Sequence, residues 1–338
     1  MEIFDILDTL CKAPGVSGEE EKAAGAVMKL CEPFCECVYS EKNGNVTATR
    51  KGFDKSKRTI LLDAHIDEIG LIVTDITDDG FLKVAAVGGI DRRMLLASRV
   101  TIYGKEPLMG VITSTPPHLE KDSKDLPEVG DVYIDTGLSG ERAKELITRG
   151  DKVLVENELT RLLGSRVTGK AIDDRSGAAA IIRTLEMLKD DELNVNVAAL
   201  FSSKEEIGEM GAKTGAFGID AEWAAAVDVS FAYVPGDDKE DCGEMNKGAM
   251  IGVSPSLSRE LTEKIVNTAK SKNIPYQLEV MGGRTGTDAD NIAVSHGGIK
   301  TVTVSIPEKY MHTPAEVIDL DDIENTALLL CEFIRGLE

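Results

Sequence analysis

Two apolar runs that end abruptly in charged residues constrain the fold of this chain more than any other feature of its sequence. Residues 196–201 lead within a few residues into Glu205 and Glu206, and residues 58–62 lead in the same way into His65. A short apolar run of this kind is typical of a strand that is buried on both faces of a sheet. Open α/β sheets bind their ligands at the carboxyl ends of such strands. We therefore expect reactive side chains at one edge of a sheet.

The segments around these runs have the pattern of an α/β fold. The first forty residues show the apolar spacing of helices, with Ser17 as the predicted N-cap of the second helix. From residue 164 onwards, strand-like runs alternate with helix-like segments. This alternation predicts a sheet with helices on both of its faces.

A segment of different character interrupts the α/β pattern. Residues 71–163 consist of short alternating runs separated by Gly, Asp and Pro turns, which predicts a small all-β module. Within it, residues 114–127 are polar and contain prolines, so they are predicted to form a mobile loop. We expect one domain made of residues 1–70 and 164–338, and a second, inserted β-rich domain made of residues 71–163.

The charge of the chain excludes several classes of partner. Its 338 residues include 59 Asp and Glu but only 38 Lys and Arg, and binding to nucleic acid or an anionic membrane requires a basic face. No apolar stretch is long enough for a transmembrane helix, and the first residues lack the order of a signal peptide. We therefore expect a cytoplasmic protein whose six cysteines stay reduced.

Histidine and carboxylate side chains recur at or just after the ends of the predicted strands. Such ends converge on one edge of a sheet, so these groups can meet in space. A set that combines imidazole with carboxylate and contains no thiolate suits two zinc, cobalt or manganese ions that share a bridging carboxylate. The candidates are His65, Asp67, Asp173, Glu205, Glu206, Asp228 and His312.

Several candidates also have a purely structural explanation, which the sequence leaves open. His65 could cap a sheet, although alternation along a strand turns His65 and Asp67 to one face, where Asp67 can hold the imidazole. Asp173 and Asp174 could be the N-cap and first-turn acid of the following helix. Asp228 lies in an apolar run, where a carboxylate is costly unless it is paired or bound to metal.

The sequence gives weaker evidence of a functional role for the remaining histidines and for one glycine-rich segment. His118 and His296 are predicted to be surface histidines. Residues 282–288 contain three glycines but lack the lysine of a phosphate-binding loop and the spacing of a dinucleotide fingerprint. We therefore predict that they form a flexible active-site loop that leads into a short helix.

Six motifs, taken together and in order, resemble the M42 family of metallo-aminopeptidases over essentially the whole chain. The resemblance implies a catalytic α/β domain of the zinc-exopeptidase type with a mixed sheet, interrupted by a small barrel-like β domain used in oligomerisation. It also implies large tetrahedral dodecamers built from dimers. The motifs are Ala64-His65-Ile66-Asp67-Glu68-Ile69-Gly70, Gly169-Lys170-Ala171-Ile172-Asp173-Asp174-Arg175, Glu205-Glu206-Ile207-Gly208-Glu209-Met210-Gly211, Ala226-Val227-Asp228-Val229, Gly286-Thr287-Asp288-Ala289 and Tyr310-Met311-His312-Thr313-Pro314.

The resemblance also implies a role for each candidate residue in the removal of the N-terminal residue from peptides with a free N-terminus. Two divalent metal ions per subunit are expected, with zinc as the first choice and cobalt or manganese as alternatives. Asp173 would bridge the ions, Glu205 would act as general base on the bridging water, and Asp67 would orient His65. The implied ligand sets are His65, Asp173 and Asp228 for one ion, and Asp173, Glu206 and His312 for the other.

Other functions remain open at the level of sequence. A two-metal deacylase of N-acyl amino acids would use the same ligand set on a related fold. A glycan hydrolase needs two carboxylates beside a sugar and usually aromatic platforms, whereas this chain contains a single Trp. A binding or assembly protein would hold no metal and hydrolyse nothing. Acidic, aliphatic and basic preferences for the N-terminal side chain all occur in the family that the motifs resemble.

Overall fold

The computed structural model describes residues 1–113 and 126–338, so His118 and most of the predicted loop at 114–127 lie outside the described residues. Within that part the chain forms eight α-helices and seventeen strands. The helices are α1 (Ile3–Lys12), α2 (Glu21–Cys31), α3 (Gly140–Leu146), α4 (Ile172–Leu188), α5 (Met210–Gly218), α6 (Arg259–Lys272), α7 (Ala289–Ile292) and α8 (Leu320–Arg335). The strands are β1 (Cys35–Ser40), β2 (Val46–Arg50), β3 (Thr59–His65), β4 (Gly70–Ile76), β5 (Leu82–Val87), β6 (Arg99–Tyr103), β7 (Pro107–Ile112), β8 (Tyr133–Asp135), β9 (Lys152–Val155), β10 (Thr160–Arg161), β11 (Arg166–Gly169), β12 (Asn196–Ser202), β13 (Trp223–Phe231), β14 (Ala249–Val253), β15 (Tyr276–Val280), β16 (Lys300–Lys309) and β17 (Glu316–Asp319).

Eleven strands of the described chain form one mixed sheet. Along its main path the strand order is β1-β2-β12-β3-β13-β16-β17-β11-β10, and β14 pairs with both β16 and β15. The four strands β12, β3, β13 and β16 are parallel neighbours at its centre, whereas β2 and β17 flank them in antiparallel orientation. Parallel neighbours begin and end on the same sides, so their carboxyl ends share one edge.

Apolar side chains on both faces of the central strands explain why helices cover both sides. Every residue of β3 and of β12 is buried. Alternation along β3 places Ile60 and Leu62 in a core with α1, α4 and α8, and places Leu61 in a second core with α5 and α7. The predicted α/β fold with a mixed sheet and helices on both faces is therefore confirmed.

A closed barrel forms the second structural unit. Six strands of the described chain close in the order β4-β5-β8-β7-β6-β9. The barrel has its own core, in which Leu71, Val100, Ile102, Ile134 and Val153 are completely buried. This arrangement confirms that a small β-barrel interrupts the α/β fold. The division of the chain into domains of residues 1–70 with 164–338 and 71–163 stays a prediction.

Two local expectations for the N-terminal region are wrong. The first forty residues are not all helical, because Cys35–Ser40 form strand β1, which pairs with β2 at the border of the sheet. Most of the β1 side chains are exposed, so the strand lacks the apolar run that marks a buried one. Ser17 is not a helix cap either: Glu20 is the N-cap of α2, and the Ser17 hydroxyl donates to Asp67 at 2.6 Å.

Among the described helices, none is both long enough and apolar enough to cross a membrane.

The buried side chain of Phe201, near the end of β12, provides a test of the core. Phe201→Ala should lower the free energy of unfolding by about 3–5 kcal/mol, because it removes a fully buried ring and leaves a cavity. Phe53→Ala is the matched control, since Phe53 is 43% exposed in a loop. Urea unfolding of both variants checks this expectation, and equal losses of stability would contradict the position of Phe201 in the core.

Candidate metal centre

The carboxyl ends of the four central parallel strands carry most of the candidate residues. His65 is the last residue of β3, and Asp228 lies near the end of β13. Glu205 and Glu206 lie just beyond the end of β12, and His312 lies just beyond the end of β16. The register aligns these ends, since His65 is the partner of Ser202 in β12. The parallel sheet therefore brings together residues that are as far apart in the sequence as His65 and His312.

Asp173 reaches the same place from the first turn of α4, where its backbone departs from helical geometry. The carboxylate of Glu316 holds this turn in position. It accepts hydrogen bonds from the backbone N–H groups of Ile172 at 2.7 Å and Asp173 at 3.4 Å, and from that of His312 at 3.2 Å. One buried carboxylate thus connects the segments that carry Asp173 and His312. Sequence reasoning missed Glu316, because its partners are backbone groups that only the fold brings together.

Asp173 lies between two histidines and joins two clusters of possible metal ligands. Its Oδ1 lies 3.0 Å from Nε2 of His65, and its Oδ2 lies 3.4 Å from Nε2 of His312. The same nitrogen of His312 lies 3.3 Å from Oε2 of Glu206. Within each cluster the potential ligand atoms all lie within 4.8 Å of one another. The clusters consist of His65, Asp173 and Asp228, and of Asp173, Glu206 and His312.

These two clusters have the same membership as the two ligand sets that the resemblance implies. The structure brings all five implied ligands together, and the one residue common to both clusters is the implied bridge, Asp173.

Asp67 contacts the imidazole of His65 and the segment that follows β12. The Nδ1 atom of His65 lies 3.3 Å from the backbone oxygen of Asp67 and 3.5 Å from its Oδ1. The Asp67 carboxylate also accepts hydrogen bonds from Ser17 Oγ at 2.6 Å and from the backbone N–H groups of Glu205 at 3.0 Å and Glu206 at 3.3 Å. Asp67 is therefore placed to orient both the histidine and the two glutamates.

Glu205 borders the clusters but belongs to neither of them. Its Oε2 lies 4.0 Å from Nε2 of His65, and its side chain faces the cavity. Burial raises the pKa of Glu205 to about 8; His65 acts against this shift, and Asp288 and Asp173 add to it. A carboxylate with a pKa near neutrality can both accept and release a proton at physiological pH.

The two clusters together contain three carboxylates and two imidazoles, and burial affects the pKa of each carboxylate. Burial raises the pKa of Glu206 to about 10, and the charge of Asp173 adds to this effect. Burial also raises the pKa of Asp228 well above its usual range. For Asp173, burial opposes ionisation, but hydrogen bonds with His312 and His65 outweigh it and lower the pKa. Bound cations would offset the cost of burying these carboxylates in their ionised form.

The barrel segment contacts the clusters through two glycines. A Cβ atom added to Gly89 would lie 2.8 Å from Nδ1 of His312, and one added to Gly88 would lie 3.3 Å from Cβ of Glu206. A side chain at position 89 would therefore displace His312, and one at position 88 would crowd Glu206. Asp91 strengthens the connection, since its backbone N–H donates to the carbonyl of His312 at 3.2 Å.

A cavity of about 590 Å³ opens beside the two clusters, and the implied ligands form part of its lining. Thr285, Gly286 and Thr287 also line it, so the segment predicted as an active-site loop does border the site, and α7 follows it. Two further lining residues, Phe231 and Glu279, were not singled out in the sequence. No local motif marks them, because they reach the cavity only through the folding of β13 and β15.

His296 was predicted to be a surface histidine, and it belongs to neither cluster. His296 is exposed and stacks on Phe217, with ring centroids 4.7 Å apart.

Comparison with known proteins gives this arrangement a family. Residues 44–329 match the family described as M42 glutamyl aminopeptidase. The chain belongs to the M42 family. Its members are aminopeptidases, so the protein is a hydrolase that acts as an aminopeptidase, as the motifs predicted. M42 aminopeptidases are metal-dependent, in agreement with the ligand clusters.

Three relatives illustrate how far the similarity extends. The lysyl aminopeptidase of Pyrococcus furiosus is 33% identical over 342 residues, which cover 99% of this chain and 97% of that protein. Aminopeptidase APDkam598 of Desulfurococcus kamchatkensis has a TM-score of 0.93 at 36% identity, with coverage of 99% and 95%. The TET1 peptidase of Pyrococcus horikoshii, which can assemble into a tetrahedron or a large octahedral shell, has a TM-score of 0.88 at 32% identity, with coverage of 99% and 100%.

The contacts of Asp67 generate a prediction about stability. Asp67→Ala should lower the free energy of unfolding by about 3 kcal/mol, since a buried donor on Ser17 and two partly buried donors on Glu205 and Glu206 lose their acceptor. Asp131→Ala, at an exposed position, is the matched control and should change it little. Urea unfolding of chelator-treated protein removes any contribution from metal binding. A loss for Asp67→Ala no larger than that of the control would contradict this account of its contacts.

Proposed function

We propose that this M42 family member removes the N-terminal residue of peptides with a centre of two divalent metal ions and a glutamate general base. The observation that carries the proposal is the position of Asp173, whose two carboxylate oxygens face different histidines. A carboxylate shared by two ligand clusters is the arrangement that a bridged pair of metal ions requires.

The residues present fit such a pair of ions. Both clusters combine one imidazole with carboxylate oxygens and contain no thiolate, which suits zinc, cobalt or manganese. The excess of buried carboxylates gives the fit an electrostatic basis, because divalent cations would supply the missing positive charge. His65, Asp173 and Asp228 would hold one ion, and Asp173, Glu206 and His312 would hold the other.

In the proposed mechanism the residues of this chain perform the proton transfer. Two bound ions would polarise the scissile carbonyl and lower the pKa of the attacking water. Glu205 accepts a proton from that water and delivers it to the amine that leaves. Asp67 keeps Glu205 in place through its hydrogen bond with the Glu205 backbone, and it orients the ring of His65.

Exopeptidase activity requires that the site select a chain end. The free α-amine of the substrate would provide this selection, because it is attracted to the carboxylates around the cavity or to an open metal position. An N-acyl amino acid lacks this ammonium group, so a deacylase that uses the same ligands would have the opposite preference. Assaying aminoacyl p-nitroanilides against N-acyl amino acids separates the two functions.

The proposed assembly is a homo-oligomer that uses the β-barrel for contacts between subunits. It is supported by the similarity to the Pyrococcus horikoshii TET1 peptidase, for which a tetrahedron and a large octahedral shell are described. The proposed state of this chain is a tetrahedral dodecamer built from dimers, which light scattering of the purified protein would measure.

The role of Glu205 as general base is tested by an isosteric substitution. Glu205→Gln should lower kcat by about 10²–10⁴-fold, because the amide cannot accept the proton, while the metal content stays at the wild-type level. Glu141→Gln, at an exposed position on α3, makes the same chemical change and should leave kcat unaltered. A kcat for Glu205→Gln close to that of the wild type would show that the base lies elsewhere.

The bridging role of Asp173 is tested by metal stoichiometry. Wild-type protein should retain two divalent ions per subunit after dialysis, and Asp228→Ala should retain about one, because only one cluster loses a ligand. Asp173→Ala should retain neither ion, since both clusters lose a ligand. Elemental analysis of the three proteins, loaded in turn with zinc, cobalt or manganese, measures these contents. Equal metal contents in the two variants would contradict a bridge at Asp173.

A further inference from the structure

Besides Glu205, one carboxylate in the described lining of the cavity takes no part in either ligand cluster, and it belongs to Glu279. Glu279 lies on β15 and is half-buried. It accepts hydrogen bonds from the hydroxyl groups of Ser230 and Ser305, the latter at 3.2 Å. Ser305 pairs directly with Asp228 in the sheet, so Glu279 is held beside one of the proposed metal ligands.

Glu279 has hydroxyl donors but no positive partner among the described residues. Burial raises its pKa, the two serines act in the opposite direction, and no charged group of residues 1–113 and 126–338 contributes. The described lining of the cavity likewise contains no Lys or Arg. A carboxylate that is kept partly away from water without a counter-charge is costly, and a cationic ligand would remove that cost.

The walls of the cavity near Glu279 suit a long side chain with an apolar stem. Phe231, Met281 and Met311 line the same cavity and present apolar surface. The side chains of Lys and Arg combine a methylene stem with a charged head, and an Arg guanidinium can also stack on an aromatic ring. The cavity therefore offers a surface for the stem and a carboxylate for the head.

We propose that Glu279 forms the subsite for a basic N-terminal side chain, so that peptides beginning with Lys or Arg are the preferred substrates. This inference rests on the proposed aminopeptidase function and names the substrate class of the same cavity. An acidic side chain would be repelled by Glu279, and an aliphatic one would exclude water from the carboxylate without supplying a counter-charge.

The chemistry of the cavity allows one competing role for Glu279, which the experiment separates from the first. If Glu279 bound the α-ammonium group of the substrate, it would contribute to the hydrolysis of every peptide, whatever its first residue. If Glu279 instead binds the N-terminal side chain of the substrate, it contributes to hydrolysis only when that side chain is basic. The ratio of kcat/KM values between a basic and an aliphatic substrate therefore reports which group Glu279 contacts.

The test compares metal-loaded wild-type and Glu279→Gln enzymes on Lys, Arg, Leu and Glu aminoacyl coumarin amides. The wild type should favour Lys and Arg. In Glu279→Gln, kcat/KM should fall by about 100-fold for Lys and Arg, because the cation loses its partner, and should change little for Leu. Glutamine is isosteric and retains hydrogen bonding with the two serines, so the cavity keeps its shape. Glu244→Gln, an exposed position outside the cavity, is the matched control and should alter no ratio.

A charge reversal extends the test. Glu279→Lys should raise kcat/KM for the Glu substrate relative to Lys, since the subsite then carries the opposite charge. A wild type that hydrolyses Leu or Glu in preference to Lys and Arg would overturn the subsite assignment while leaving the aminopeptidase function intact. An equal fall for all four substrates in Glu279→Gln would also overturn it, in favour of contact with the α-amine. Hydrolysis of none of the four by wild-type enzyme would contradict the proposed function itself.

Discussion

The interaction of Asp173 with two histidines is the constraint on which the rest of the site depends. Its carboxylate oxygens face His65 and His312, so one side chain sets the spacing of both ligand clusters. A carboxylate can hold that position only if its own backbone is fixed, and Glu316 fixes it by accepting the neighbouring N–H groups. The parallel strands supply the other ligands from their carboxyl ends. The fold thus surrounds one carboxylate, common to both ligand clusters, with groups that come from distant parts of the chain.

Electrostatics links this geometry to the proposed chemistry. A fully buried group of carboxylates destabilises a protein unless positive charge compensates it. The imidazoles supply part of that charge, whereas burial raises the pKa of Glu206 and Asp228 and so opposes their ionisation. Divalent cations would complete the compensation and make the site functional at the same time. The same reasoning, applied to the cavity wall, identifies Glu279 as a carboxylate whose missing partner comes with the substrate.

Much of the fold could be predicted from the sequence, because the strands that form the centre of the sheet have unmistakable apolar runs. Asp228 could be identified as a candidate ligand for the same reason, since a carboxylate inside an apolar run is costly unless it is paired or bound to metal. Strand β1 could not be predicted, because its exposed residues gain their conformation from pairing with β2. Ser17 and Glu316 were missed as parts of the site because their roles consist of tertiary contacts. Local patterns identify residues that bear chemistry, whereas the groups that position them become visible only in three dimensions.

The proposed mechanism requires two metal ions that share Asp173. The most direct measurement is anomalous diffraction at the zinc absorption edge from crystals of the zinc-loaded enzyme. We expect a pair of anomalous peaks, both in contact with the carboxylate of Asp173, with His65 and Asp228 at one peak and Glu206 and His312 at the other. A single peak, or a pair of peaks of which only one contacts Asp173, would contradict it.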